Sequence, residues 1–376
     1  MAAKCIFCIE FPVVSLSRAQ AGVLIVCLCL ILLVLGGIAR FTGRHPVDAL
    51  IYFLSADPGS TVPDSSLQDR PVSGAVWKGN LANPDLDELS GYVSSSRYQN
   101  IFYGINDSGG DAVIFVMDES GADIGEVNIG LPKPRDWEDL VSFRHNGEDY
   151  LLIAETGDNL HWHDKSWLHL VREPKMIRQG GQWVLGTGRS LPVLQSIAFR
   201  FPDGPRDCEA VAYDETTQSV FLISKHPVPA EVFRLSVGNR LSAAGLPGRD
   251  TRSMGDNTVS ETVLVAEKIA LLTGIPQPTE QDLREDPDYG QYRSRVTAMD
   301  MKNNRAVVLT YKHAYLYERH DNLDWEDVFK GVPERIPLPP YFGREAAALT
   351  VDSRWLYVSG ERFKGRGAQP IFATEL

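Results

Sequence analysis

From about residue 73 onward the apolar residues fall in short runs separated by Gly, Asp, Asn and Pro, a strand-and-turn pattern. Helical spacing is scarce, and only the stretch 323–330 predicts a short helix. The runs repeat, and the repeat is what predicts the fold. Each unit opens on an acidic or hydroxyl residue followed by small and apolar ones: ELSGYV from Glu88, WEDLVSF from Trp137, CEAVAY from Cys208, VTAMDM from Val296 and REAAALTV from Arg344. A strongly apolar strand with a polar end follows each opening: IFYGINDSGG, YLLIAETGDN, VFLISKH, AVVLTYKH and LYVSGER. Third strands follow at AVIFVMD, WLHLVRE, EVFRLSV, AYLYER and PIFATEL, and outer strands at GEVNIGL, LQSIAFRF and TVLVAEKIAL.

Four strands per unit and five units predict an all-β, five-bladed β-propeller. The last unit runs out of chain after three strands, so the stretch 72–78 is expected to supply the fourth and close the ring, removing the exposed edges. Six blades is the alternative, if 236–295 hides another; that region reads instead as insertions, with loops over 239–260 and 274–295.

The 19 residues 21–39 carry no charge and are mostly Leu, Ile and Val. At about 1.5 Å per residue they match a bilayer core. They read as an uncleaved single-pass anchor, with a cleavable signal peptide as the rival. The chain then divides into a lead (1–20), a transmembrane helix (21–39), a Pro-containing linker (40–72) and the propeller (73–376), which is expected outside the cytoplasm.

Charge narrows the partners. The net charge is −12, and residues 41–376 hold 34 basic and 48 acidic residues, a net of −14. Such a surface repels nucleic acid and suits cations wherever carboxylates cluster. Four of the five cysteines lie in the first thirty residues, so Cys208 has no disulfide partner within the propeller.

In a propeller the first strand of each blade lines the channel, and the antiparallel second strand returns to the same mouth. An inner ring of Glu88 or Ser90, Glu138, Glu209, Thr297 and Glu345 is therefore expected. An outer ring would hold Asn106, Asp107, Asp158, Asn159, Lys225, His226, Tyr311, Lys312, Glu361 and Arg362. Carboxylates gathered on one axis repel and raise each other's pKa, which a divalent cation relieves. Oxygen-only ligands favour calcium over zinc, and magnesium keeps more of its water. Asp136 and Asp207 each precede a glutamate by two residues and share its strand face.

These motifs resemble those of the soluble calcium-activated nucleotidases (apyrases), five-bladed propellers holding one calcium with one residue per blade in the order Ser, Glu, Glu, Ser, Glu. The resemblance implies Ser90, Glu138, Glu209, Thr297 and Glu345 as metal ligands, at spacings of 48, 71, 88 and 48 residues. The strand ends INDSGG, ETGDN, ISKH and LTYKH look alike too, over roughly 85–365. Where the family has paired arginines for phosphate, this chain reads Ser224-Lys225-His226. The motif order is similar also to bacterial-type propellers of unassigned activity.

Two functions follow. The first is a calcium-dependent hydrolase of phosphate esters, anhydrides or lactones, with Asp107, Asp158, Asp136 or Asp207 as base and Lys225, Arg362, Tyr311 and Asn159 holding the substrate. The second is a non-catalytic binding module in which calcium ties the blades and the mouth takes a small anion or a protein partner. His161 and His163 read as solvent-facing loop residues, not as a metal pair.

Overall fold

The computed structural model describes residues 61–71, 74–107, 110–186, 188–241, 263–320, 323–340, 343–362 and 367–376. The expected anchor and lead, and most of the linker, lie outside these. Among the described residues no helix is long and apolar enough to cross a membrane.

Twenty strands form five antiparallel four-stranded blades. Their inner strands are Leu89–Ser94, Trp137–His145, Cys208–Asp214, Val296–Lys302 and Arg344–Leu349, in blades 1 to 5. Each inner strand packs beside the next, and the fifth beside the first. The protein is a five-bladed propeller. Blade 5 is completed by Val76–Asn80, which pairs antiparallel with Pro370–Glu375 and joins the two ends of the propeller as the pattern predicted. The stretch 236–295 holds no sixth blade among its described residues. It contributes Glu267–Leu271 as the outer strand of blade 3 and the short strand Leu264–Val265 beside blade 2.

The core is divided among the gaps between blades. Each of five apolar clusters draws side chains from two adjacent blades, because alternate strand residues face opposite sides of each sheet. Burial therefore stabilises the ring as a whole, and a single blade would leave both faces wet. The gap between blades 3 and 4 is sealed by the helix Trp325–Lys330, capped by Asp324. Trp325 stacks on Phe329 at 5.4 Å and donates its indole N–H to Asp214 at 3.2 Å. Trp325→Ala is expected to cost about 3–5 kcal/mol, read as a lower urea midpoint. A midpoint within error of wild type would remove this helix from the core.

Residues 61–71, inside the expected linker, run along blade 4. Arg335 of its outer strand holds Asp64 at 2.8 Å and Asp69 at 2.5 Å, and Val62 donates its N–H to Thr273 at 2.9 Å. The insertion 274–295, expected as a loop, contains the helix Glu280–Glu285, with Thr279 and Asp282 forming a capping box. The short T-x-x-D signal is the local reason for that helix, and its length of under two turns hid it from any periodicity.

Candidate metal centre

Five β-bulges build the channel mouth. In blade 2, Trp137 pairs with Glu155 and Asp139 with Ala154, leaving Glu138 extra. Glu209 is the extra residue between Cys208 and Ala210, Thr297 between Val296 and Ala298, and Glu345 between Arg344 and Ala346. In blade 1, Ser90 and Gly91 together oppose Ile105. A bulge inserts a residue into one strand and re-aims its side chain. The bulged residue of every blade is thus the one singled out from the sequence as a ligand. The choice between Glu88 and Ser90 is also resolved. Ser90 is in the bulge and buried, whereas Glu88 precedes the strand and is exposed.

All five residues are buried, none more than 6% exposed. Ser90 Oγ donates to the Glu138 carbonyl at 2.5 Å and lies 3.4 Å from Glu138 Oε2. Two carboxylate triads meet at Glu138. One is Asp107, Asp136 and Glu138; the other is Glu138, Asp207 and Glu209; within each, one oxygen per residue lies within 4.8 Å of the others. Gly157 makes the first approach possible, since a Cβ there would stand 2.1 Å from Glu138 Oε1 and 2.4 Å from Asp136 Oδ2. Asp136 and Asp207 do share a side with the glutamates that follow them.

The charge is poorly compensated. Lys225 Nζ is 2.6 Å from Glu209 Oε1, with the carboxylates of Glu138 and Asp207 crowded beside that pair. Burial, and then Lys225's partial compensation against Asp207 and Glu345, leaves Glu209 well above the ordinary range. Burial followed by Glu209 and Asp107 does the same to Glu138. Asp136 is pushed up to about 7, first by burial and then by Asp107. Burial, then Glu345 and Asp107, takes Glu361 to about 7 as well. Burial alone would lower Lys225, but Glu209 and Tyr311 hold its pKa above the usual value. Glu345 is held by the Tyr311 hydroxyl, which donates to Oε1 at 2.6 Å. Two oxygens here are buried with no hydrogen-bond partner among the described residues: Asp207 Oδ2 and Thr297 Oγ1. Unpaired buried oxygens beside crowded carboxylates are the donor set a hard cation takes. The cluster has the composition to bind a metal ion.

Above the ring opens a cavity of about 560 Å³, lined by Asn159, Lys225, Tyr311 and Glu361, together with Tyr289, Tyr292 and Arg295 of the insertion. Asn159, Lys225 and Tyr311 are thus brought together as expected, but Arg362 is not among the lining residues. Its Nε donates to Gln369 at 3.2 Å and its backbone N–H to Asp87 at 3.0 Å. Asp158 is engaged elsewhere too. Its carboxylate accepts the N–H groups of Trp162 and His163, each at 2.8 Å, locking a loop. Asn106 ties the 85–88 turn, accepting from the Glu88 N–H at 3.2 Å and donating to the Asp85 carbonyl at 2.7 Å. His161, expected to face solvent, is buried with Nδ1 3.2 Å from the Pro205 carbonyl; His163 is exposed. The residues the sequence reading missed are Tyr289, Tyr292 and Arg295, because nothing local says that an insertion folds over the mouth. Asp282 does that work: it bonds Thr279, Arg293 at 2.8 Å and, across to blade 4, Lys312 at 2.8 Å.

No family model matches the chain, and no curated protein matches it. Solved structures give distant matches. The PQQ-bound aldose sugar dehydrogenase of Streptomyces coelicolor is 10% identical over 81% of this chain and 99% of its own, with a TM-score of 0.42. A gluconolactonase of Xanthomonas campestris is 11% identical over 85% of this chain and 95% of its own, TM-score 0.38. The WD40 repeats of RRP9 are 9% identical over 83% of this chain and 100% of theirs, TM-score 0.38. At such distances the likenesses bear on neither activity nor cofactor.

Proposed function

We propose that this is a calcium-binding propeller that hydrolyses a small anionic ester, anhydride or lactone at its channel mouth. The observation that carries the reading is Glu138, buried and shared between two carboxylate triads whose charge Lys225 only partly offsets. The donors are carboxylate and hydroxyl oxygens, with Ser90, Glu138, Glu209, Thr297 and Glu345 supplied one per blade, which suits calcium. When bound, calcium supplies a Lewis acid for a substrate oxygen. The chain's own residues do the rest. Lys225 and Tyr311 keep Glu209 and Glu345 in place, and Asn159 offers an amide to the cavity. Asp136, crowded against Asp107 and Glu138 at the same mouth, is placed to act as the base.

Calorimetry of calcium into the full chain is expected to show saturable binding, abolished in Glu138→Gln. Gly157→Ala makes a sharper probe. Its methyl displaces two flexible carboxylate ends, so calcium affinity should fall at least tenfold while the chelated protein melts within a few degrees of wild type. Unchanged affinity in both variants would sink the metal reading. A second reading, a non-catalytic module with a structural calcium, is favoured by the enclosure of the ring, since structural ions are closed in. Turnover of 4-nitrophenyl phosphate separates the two: activity lost on chelation with the melting temperature held supports the hydrolase, and a fall in melting temperature with no activity supports the module.

The reading includes a membrane tether, supported by the uncharged stretch 21–39. The full chain is expected to stay in the pellet after alkaline carbonate extraction; release into the supernatant would overturn the tether.

A further inference from the structure

Five cations line the mouth cavity among its described residues: Lys225, Arg293, Arg295, Lys312 and Arg344. Four are already engaged. Lys225 is bonded to Glu209. Lys312 and Arg293 share Asp282, and Arg293 also holds Glu285 at 2.9 Å. Arg344 donates to the carbonyls of Tyr311, at 2.5 Å, and Pro339.

Arg295 differs. Its backbone N–H reaches the Tyr292 carbonyl at 2.9 Å, but no carboxylate or carbonyl among the described residues accepts from its guanidinium. The flat face of that group lies over the Tyr292 ring, 4.0 Å from its centroid. Stacking leaves the N–H edge free, and the edge is the part that grips an oxyanion through two parallel hydrogen bonds. The side chain is also partly buried. A partly desolvated guanidinium whose N–H groups have no acceptor is unfavourable, and an anionic ligand that accepts from them relieves it.

We propose that Arg295 anchors a single oxyanion, carboxylate or phosphomonoester, through two of its oxygens, on a ligand whose apolar part lies against Tyr289, Tyr292 and Leu338. The charge balance of the cavity argues against a polyphosphate. One guanidinium is unengaged, and Glu285, Asp286 and Glu361 share the same walls. A second or third phosphate would meet carboxylates and find every other lining cation already paired. The insertion 274–295 is then the specificity element of the site, pinned in position by Asp282. This assignment deepens the reading of the mouth as a substrate site and does not itself need turnover.

The test is direct binding to the full chain, with calcium and with chelator, of 4-nitrophenyl phosphate, benzoate and ADP. Binding of the first alone assigns a phosphomonoester, of the second alone a carboxylate, and of both any single oxyanion that offers two oxygens to the fork. Arg295→Met is expected to weaken binding of the anion roughly tenfold to a hundredfold. Arg295→Lys, which keeps the charge and loses the fork, should recover only part of that. Arg284→Met, on the exposed side of the same insertion, should match wild type. Equal binding by wild type and Arg295→Met overturns the proposal, as do ADP binding more tightly than both 4-nitrophenyl phosphate and benzoate or the failure of both to bind. The metal reading fails separately: Arg295-dependent binding with no calcium heat by calorimetry would keep this inference and reject the calcium.

Discussion

Calcium is expected to raise the melting temperature more at pH 8 than at pH 6. Metal-free, Asp136 and Glu361 have pKa values pushed up to about 7, burial being the larger cause in each. A carboxyl raised in this way contributes stability that is complete below its unfolded pKa of about 4 and is lost as pH rises through about 7. Chelated protein is therefore relieved of carboxylate repulsion at pH 6 and carries it at pH 8. With solvent screening, these two groups together account for on the order of 1–2 kcal/mol over that interval. Bound cation needs the charged forms, so its binding competes with protons and weakens as pH falls. At a hundredfold excess over the dissociation constant, calcium should add about 2.7 kcal/mol, or roughly 5–10 °C. His226 and His313, lowered by burial to about 3 and about 4, work in the opposite direction. They are common to both arms, so the quantity to read is the difference between calcium and chelator at each pH. Curves that coincide at pH 8 would remove the cation from the site.

The second large effect is expected at Asp139, next in sequence to Glu138. Its carboxylate is buried and accepts the N–H of Leu140 at 2.8 Å and of Val211 at 2.7 Å, with Met299 at 3.5 Å. Those donors belong to the inner strands of blades 2, 3 and 4, so one side chain links three blades near the axis. Asp300 repeats the device, accepting from Leu349 of blade 5 at 2.9 Å. Asp139→Leu leaves two or three buried N–H groups unpaired, each worth about 1–3 kcal/mol, so a loss on the order of 3–5 kcal/mol is expected from urea unfolding. Asp139→Asn keeps an acceptor oxygen and should lose less. Equal small losses in both variants would show that the inner strands hold together without this link.

Asp139 also shows why part of the site was hidden. It bonds the backbone of the neighbouring inner strands, and in sequence it is one more acid in a DWED motif. The motif occurs twice. At Asp136 it opens a bulged inner strand, and at Asp324 it caps the helix Trp325–Lys330. In the sequence only the first copy is followed by a strand-like apolar run. Similarly, Lys225 and Arg362 read equally well as anion holders, yet one is bonded to Glu209 and the other is turned toward Gln369.

What the chain encodes locally is the blade. Period-two runs, turn residues and five similar openings are short-range signals, and they sufficed for the five repeats and the closing strand before residue 81. Tertiary structure decided what depends on distant segments meeting. The bulges that chose Ser90 over Glu88 form only against a partner strand, and the crowding of Asp107, Asp136, Glu138, Asp207 and Glu209 only once the ring has closed. The insertion bearing Tyr292 and Arg295 lies over the mouth through Asp282, whose partner Lys312 is 30 residues away in sequence. Spacing along a strand sets which face a side chain takes; what it meets there, and whether its charge is already paired, depends on the other blades.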